Sequence, residues 1–140
     1  MRTMNYLSAI HFLEKPVSPD EKMIAKVMTD YFEGLARGNL SLLLSAFCDD
    51  ARIDSKAATA QRIVSKEEYA KAIAPELPYF TKVLFQDLVI RILDPENAFV
   101  QGFTSYTFQG RQGRIWSRTW KFTKKNGIWR ILESHYNADL

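Results

Sequence analysis

The chain has 140 residues, with 19 Lys and Arg against 16 Asp and Glu for a formal net charge of +3; 46% of residues are hydrophobic and 25% charged. That length carries a single hydrophobic core, and the composition excludes a disordered tail, a collagen-like repeat and a coiled coil. One cysteine, Cys48, excludes an intrachain disulfide framework; beside only two histidines it leaves no Cys/His metal cluster, and no stretch approaches the ~18 apolar residues of a membrane span. A soluble, cytoplasmic domain without metal or membrane attachment is expected.

Residues 1–17 hold a short apolar stretch, Tyr6 to Leu13, interrupted by His11 and closed by Glu14. It lacks the basic start and long apolar centre of a secretory signal, so it reads as an arm or a short helix. Ser18-Pro19-Asp20-Glu21 is a helix start, a capping box with Pro at the first helical position. Behind it Met23, Ile24, Val27, Met28, Tyr31, Phe32 and Leu35 share one helical face, and Gly38 supplies a left-handed stop. Asn39 caps a second short helix with Leu40, Leu43, Leu44 and Phe47 on one stripe, and Ala51 to Asp54 alternate like a strand.

Ser55 to Gln61 are small and polar, a loop, and Ser65-Lys66-Glu67-Glu68 opens a third helix that ends at Pro75. The remainder reads as four long strands: Val83 to Leu93, Ala98 to Phe108, Arg114 to Thr123 and Ile128 to Asn137, with turns at Asp94-Pro95-Glu96-Asn97 and Asn126-Gly127. Helices first and an antiparallel meander after them predict an α+β domain over residues 18–140. Its helices would pack on a strongly curved, mostly antiparallel sheet, forming a cone with an internal pocket.

Three stretches resemble the nuclear transport factor 2-like superfamily, in its small SnoaL-like and ketosteroid-isomerase-like branch. They are Tyr31-Phe32-Glu33-Gly34-Leu35-Ala36-Arg37-Gly38-Asn39, then Ala46-Phe47-Cys48-Asp49-Asp50-Ala51, then Arg118-Thr119-Trp120 with Asn126 to Ile131 and His135. The resemblance spans Asp20 to Ala138 and implies a cystatin-like α+β roll that works without metal or organic cofactor. In the ketosteroid isomerases a first-helix tyrosine donates to an oxyanion, and Tyr31 stands at that position. Their general base falls on Ser55 here, with Asp54 one residue early and so on the opposite strand face. Their second oxyanion group, a protonated aspartate, falls on Arg118, which disfavours steroid isomerisation. The scytalone dehydratase histidine pair is absent as well.

Arg118 resembles instead the pocket arginine of the association domains of calcium/calmodulin-dependent kinases, which bind small carboxylates there. Strand alternation puts Arg114, Trp116, Trp120 and Phe122 on the same face as Arg118. The ligand-binding candidates are therefore Arg118, Trp116, Trp120, Tyr136, Ser134 and Tyr106, around a small anionic or aromatic molecule. The analogy turns Tyr136 and Ser134 inward and sends His135 and Glu133 outward. The catalytic candidates are Tyr31 as donor with Asp54 or His135 as the proton carrier, in a cofactor-free isomerase, lyase or cyclase. The alternative is a non-catalytic binding or assembly module. An apolar outer sheet face comprising Phe99, Phe103, Ile115, Trp129 and Ile131 would make a homodimer. Seven Lys and Arg lie between Arg111 and Arg130 with no acid among them. Arginines and tryptophans sharing one strand face do not form an interleaved nucleic-acid surface, so nucleic acid is not an expected partner.

Overall fold

A computed structural model describes residues 7–55 and 62–137. The first helix, α1 (Pro19–Arg37), starts where the capping box places it: Ser18 Oγ accepts from the Glu21 N–H at 3.1 Å, and the Glu21 carboxylate accepts from the Ser18 N–H at 2.9 Å. Gly38 ends it in the left-handed region at φ 68°. The apolar stripe buries Ile24, Met28, Tyr31, Phe32 and Leu35, while Met23 stays on the surface side.

Asn39 caps α2 (Leu40–Ser45). Phe47 does not continue its stripe as expected but opens β2 (Phe47–Ser55). The physical reason is local: the Ile131 N–H donates to the Ala46 carbonyl at 2.8 Å, so the sheet captures the chain before another helical turn can form. β3 (Arg62–Ser65) leads into α3 (Lys66–Ile73), whose Ser65–Glu68 capping box is complete. Of the loop expected over Ser55 to Gln61, Ser55 belongs to β2 and the rest lies outside the described residues. A short 3₁₀ turn, Leu77–Tyr79, precedes β4 (Phe80–Asp94), β5 (Asn97–Phe108), the two-residue β6 (Arg111–Gln112), β7 (Trp116–Lys125) and β8 (Ile128–Tyr136).

The segment expected as an arm or short helix contains a strand, β1 (Ala9–Phe12), parallel to β4. Ile10 and Phe12 are half-buried while Ala9 and His11 are exposed, a period of two that suits a half-covered strand. The Val83 N–H donates to Ser8 Oγ at 2.8 Å and the Leu13 N–H to the Leu88 carbonyl at 2.9 Å, satisfying backbone groups that β4 would otherwise leave bare at the sheet edge. The open, curved sheet runs β1-β4-β5-β7-β8-β2-β3, with β6 attached to β5. β2 joins β8 in parallel, and the meander β4-β5-β7-β8 is antiparallel.

Two irregularities decide which side chains face the helices. In β4 the register slips near Asp87, which has φ 54°, so Val83 and Phe85 before it and Leu88 and Ile90 after it all reach the core. In β8 the register slips at Leu132, because Lys121 pairs with Glu133 but Phe122 with Ile131. Odd-numbered Trp129 and Ile131 are therefore buried, and so is even-numbered Ser134. This corrects the expected outer face: Trp129 and Ile131 belong to the core, and Trp129 Nε1 donates to Asp20 Oδ1 at 2.8 Å beneath α1. Phe103 and Ile115 are exposed at 42% and 60%, and Phe99 is half-buried.

The core is aromatic. Tyr31 meets Phe47 and Phe85 edge-on at 5.3 Å each, and Phe85 stacks on Trp120 at 5.8 Å. The basic run of the meander is broken up by individual acids: Lys121 faces Glu133, Lys124 faces Asp20 and Lys125 faces Asp50. No helix among the described residues is long and apolar enough to cross a membrane.

Candidate functional site

One end of the concave face holds a cavity of about 330 Å³. Tyr31 and Leu35 of α1 and Tyr69 and Ile73 of α3 form one side of it; Tyr106 and Phe108 of β5, Trp116 and Arg118 of β7 and Tyr136 of β8 form the other. Three consecutive residues of β2, Ile53, Asp54 and Ser55, close the wall, and Glu76, Arg111 and Arg114 also contribute to the lining.

Arg118 dominates this site. Its residue exposure is 1%, yet its hydrogen-bond partners among the described residues are all neutral oxygens. Nε donates to the His135 carbonyl at 3.0 Å, Nη1 to Tyr106 Oη at 3.2 Å and to Thr104 Oγ1 at 3.4 Å, and Nη2 to Ser134 Oγ at 3.0 Å. The guanidinium carbon lies 3.7 Å from the centre of the Tyr136 ring and 4.9 Å from that of Trp120. Burial opposes the charge, but the oxygens of Tyr136, Tyr31 and Tyr106 outweigh it and hold the group above its ordinary pKa. An arginine stays cationic in any case. The result is a permanent positive charge in a low-dielectric wall, held flat by oxygens and rings but not neutralised by them.

Of the candidate residues, Tyr31, Asp54, Tyr106, Trp116, Arg118 and Tyr136 reach the cavity wall. Trp120 and Ser134 do not: both are fully buried behind Arg118, the indole beneath the guanidinium and the hydroxyl accepting from it. Trp120 Nε1 has no hydrogen-bond partner among the described residues, a cost the aromatic packing of its ring offsets. His135 lies away from the cavity, its Nε2 3.0 Å from Glu133 Oε1 on the other face of β8. Only its main-chain carbonyl serves the site, through Arg118.

Asp54 and Ser55 are both buried and both line the cavity, with the pairing of β2 to β3 unbroken from Arg52 to Ser55. Asp54 Oδ2 accepts the Tyr136 N–H at 2.9 Å, which turns its carboxylate toward the site. Thr104 was missed, although its register partner is Trp116 and alternation along β5 puts it on the same face as Tyr106. Glu76, Phe80, Phe108 and Arg111 carry no local signal; the folding of α3 and the β5–β6 hairpin onto one end of the sheet brings them in.

Burial, with Tyr106 adding to it and Arg118 opposing, pushes the Tyr31 hydroxyl up to about 12. Tyr106 and Tyr136 are likewise raised, first by burial. At neutral pH the phenols beside Arg118 are therefore donors, not anions. Because the folded-state pKa of Tyr31 exceeds the unfolded value near 10, its contribution is complete below about pH 10 and lost as pH rises toward 12. Tyr31→Phe should accordingly lose less stability than the parent between pH 10 and 12; equal losses in denaturant titrations at the two pH values would contradict the assignment.

Helices laid over a curved open sheet with a ligand-sized cavity at one end make the fold of the nuclear transport factor 2-like proteins, which solved structures share. An NTF2-like protein of unknown function from Pseudomonas putida superposes with a TM-score of 0.71 at 13% identity, covering 90% of this chain and 91% of that one. A protein of unknown function with a cystatin-like fold from Nostoc punctiforme gives 0.70 at 14% identity, covering 90% and 96%. A "putative calcium/calmodulin dependent protein kinase II association domain" from Xanthomonas campestris gives 0.68 at 20% identity, covering 94% and 98%. No curated protein sequence gives a significant match. Residues 19–137 match the family described as "Putative lumazine-binding", and the chain belongs to that family.

Proposed function

We propose that the protein binds a flat, anionic aromatic molecule in the cavity, with Arg118 as its anion receptor. The observation that carries this reading is the fully buried guanidinium on the cavity wall whose partners are all neutral oxygens. A carboxylate or ionised heterocycle would supply the missing charge through charge-assisted hydrogen bonds, with the Tyr31, Tyr106 and Tyr136 phenols as further donors. The apolar sides of the cavity suit the rings of such a molecule. The family description points the same way, toward a heteroaromatic ligand of the lumazine kind.

The test is a thermal-shift panel of benzoate, cinnamate and lumazine, with cinnamamide as the uncharged control. A ligand at about 100 times its Kd adds roughly 2.7 kcal/mol to the folded state, a rise of several degrees in Tm for a domain of this size. Cinnamate should raise Tm and cinnamamide should not. A shift with lumazine alone would move the ligand from carboxylates to pteridines, and no shift with any member would remove the reading.

Asp54 favours a second, catalytic reading. A carboxylate on the same wall as Tyr31 and Arg118 has the makings of a proton-transfer site: Arg118 and Tyr31 would hold a developing enolate while Asp54 carries the proton. That would make the protein a cofactor-free isomerase or lyase of an anionic aromatic substrate. Exchange of the α-hydrogens of bound phenylacetate into deuterium oxide, followed by NMR and lost in Asp54→Asn, would establish it; exchange at the uncatalysed rate would leave a binding protein. Self-association through the outer sheet face is supported by exposed Phe103 and Ile115. A monomer in sedimentation at high protein concentration would rule that out.

A further inference from the structure

The helix side of the cavity is built from two pairs of side chains one turn apart: Tyr31 with Leu35 on α1, and Tyr69 with Ile73 on α3. Each pair sets a phenol beside an aliphatic side chain, so along these two helices the wall is apolar but for two hydroxyls. The two phenols are not equivalent. Tyr31 lies beside Arg118, which opposes the rise that burial imposes on its hydroxyl, both through its charge and by hydrogen bonding. Tyr69 is 6% exposed, and its hydroxyl has no hydrogen-bond partner among the described residues. Burial pushes it well above the usual phenol range, with Tyr31, Tyr106 and Tyr136 adding to the shift and the charge of Arg118 opposing it, so the hydroxyl keeps its proton. Among the described residues Trp120 Nε1 is the side-chain polar atom both sealed and unpartnered, so the Tyr69 oxygen is not sealed; it opens onto the cavity that the residue lines. Its ring is fixed from behind on Phe47, with centroids 5.8 Å apart, and the complete Ser65–Glu68 capping box anchors α3.

Resting on the anion-receptor reading above, we infer that the ligand carries, besides its anionic group, an uncharged carbonyl oxygen that accepts from the Tyr69 hydroxyl, which makes Tyr69 a specificity-determining residue of the site. A protonated phenol can donate or accept, but the charge of Arg118 favours one orientation: lone pairs toward the cation and the O–H away from it, the arrangement of a donor. A ligand with an apolar group at that place would bury the hydroxyl with nothing to bond, at the full desolvation cost of the donor. A carbonyl oxygen there removes that cost. A site of this kind discriminates by what the wrong ligand leaves unpaired. An anion at Arg118 and a carbonyl at Tyr69 hold a flat ring from the sheet side and from the helix side.

The experiment measures, by titration calorimetry, meta- and para-acetylbenzoate against the meta- and para-isopropenyl acids, which have nearly the same shape but carry a methylene group where the ketone has its oxygen. In the parent protein one acetyl isomer should bind about five- to tenfold more tightly than its isopropenyl counterpart, the scale of one hydrogen bond to a buried donor. In Tyr69→Phe that ratio should fall to about one, with the isopropenyl acid bound as tightly as before or more so, because the hydroxyl it had to bury is gone. Unliganded Tyr69→Phe should melt at or above the parent Tm, since the fold loses no hydrogen bond. Ratios near one for both isomers in the parent, with the acids bound, would overturn the carbonyl partner and leave the anion receptor standing. A ratio that survives Tyr69→Phe, or a variant that melts several degrees lower, would overturn it too. If none of the four acids binds, the receptor reading falls, and this inference with it.

Discussion

Arg118→Met is expected to weaken binding of an aromatic carboxylate about 100-fold while leaving the unliganded fold close to its parent stability. The first half follows from the loss of the charge-assisted hydrogen bond that the remaining Nη2 N–H can give the ligand, with the attraction of the buried charge, about 3 kcal/mol. The second follows from the absence of a carboxylate partner among the described residues: removing this charge orphans no opposite charge. Met fills a similar volume, and the hydroxyls of Thr104, Tyr106 and Ser134 can rotate toward one another or toward water in the cavity. Burying an uncompensated cation is itself costly, so unfolding free energy should change by no more than about 2 kcal/mol and could rise. Arg118→Lys should fall between, about tenfold weaker, because an ammonium cannot serve the His135 carbonyl, Ser134 and Tyr106 at once and still present a flat fork. Titration calorimetry paired with denaturant unfolding checks both halves. Parent-like affinity in Arg118→Met would end the receptor assignment, and a large loss of stability would make the arginine a structural group.

Gly34→Ala should destabilise the protein by about 3 kcal/mol and lower Tm by roughly 10 °C, against the intrinsic preference of a helix interior for alanine. A Cβ at position 34 would lie 2.5 Å from the Leu43 nitrogen and 2.6 Å from its Cα and Cβ. Two of those atoms are backbone, so no rotamer change relieves the overlap and α2 must move away from α1. Gly34 also lies between Tyr31 and Leu35 of α1, both on the cavity wall, so the displacement should weaken ligand binding as well as the fold. A variant that melts at or above the parent temperature would mean that the α1–α2 contact is compliant.

Much of this was legible before folding. The capping boxes at Ser18 and Ser65, the left-handed Gly38 and the Asn126-Gly127 turn are local chemistry, decided within four residues of chain, and each appears where the sequence places it. The common face of Trp116, Arg118 and Trp120 was also legible, because β7 pairs with β5 without a register slip from Trp116 to Thr123. What alternation could not tell is depth along that face. The sheet curls so that Trp116 reaches the cavity, Arg118 sits fully buried in its wall, and Trp120 is sealed beneath.

The sequence by itself determined the class of the fold, the helix starts at Ser18, Asn39 and Ser65 and the charge that the site would carry, since these depend on side-chain type and short-range backbone chemistry. Only the tertiary structure decided which residues meet. One extra residue at Leu132 inverts the parity of β8, so that Trp129 and Ile131 enter the core while Ser134 and Tyr136 still serve the site and His135 is turned away. Neighbours Asp54 and Ser55 both come to line the cavity, and β1 finds the open edge of β4 some seventy residues away in sequence. Register slips and edge pairing are settled by contacts between distant strands, where the gain from burial outweighs a local irregularity, and no periodicity within one strand encodes them.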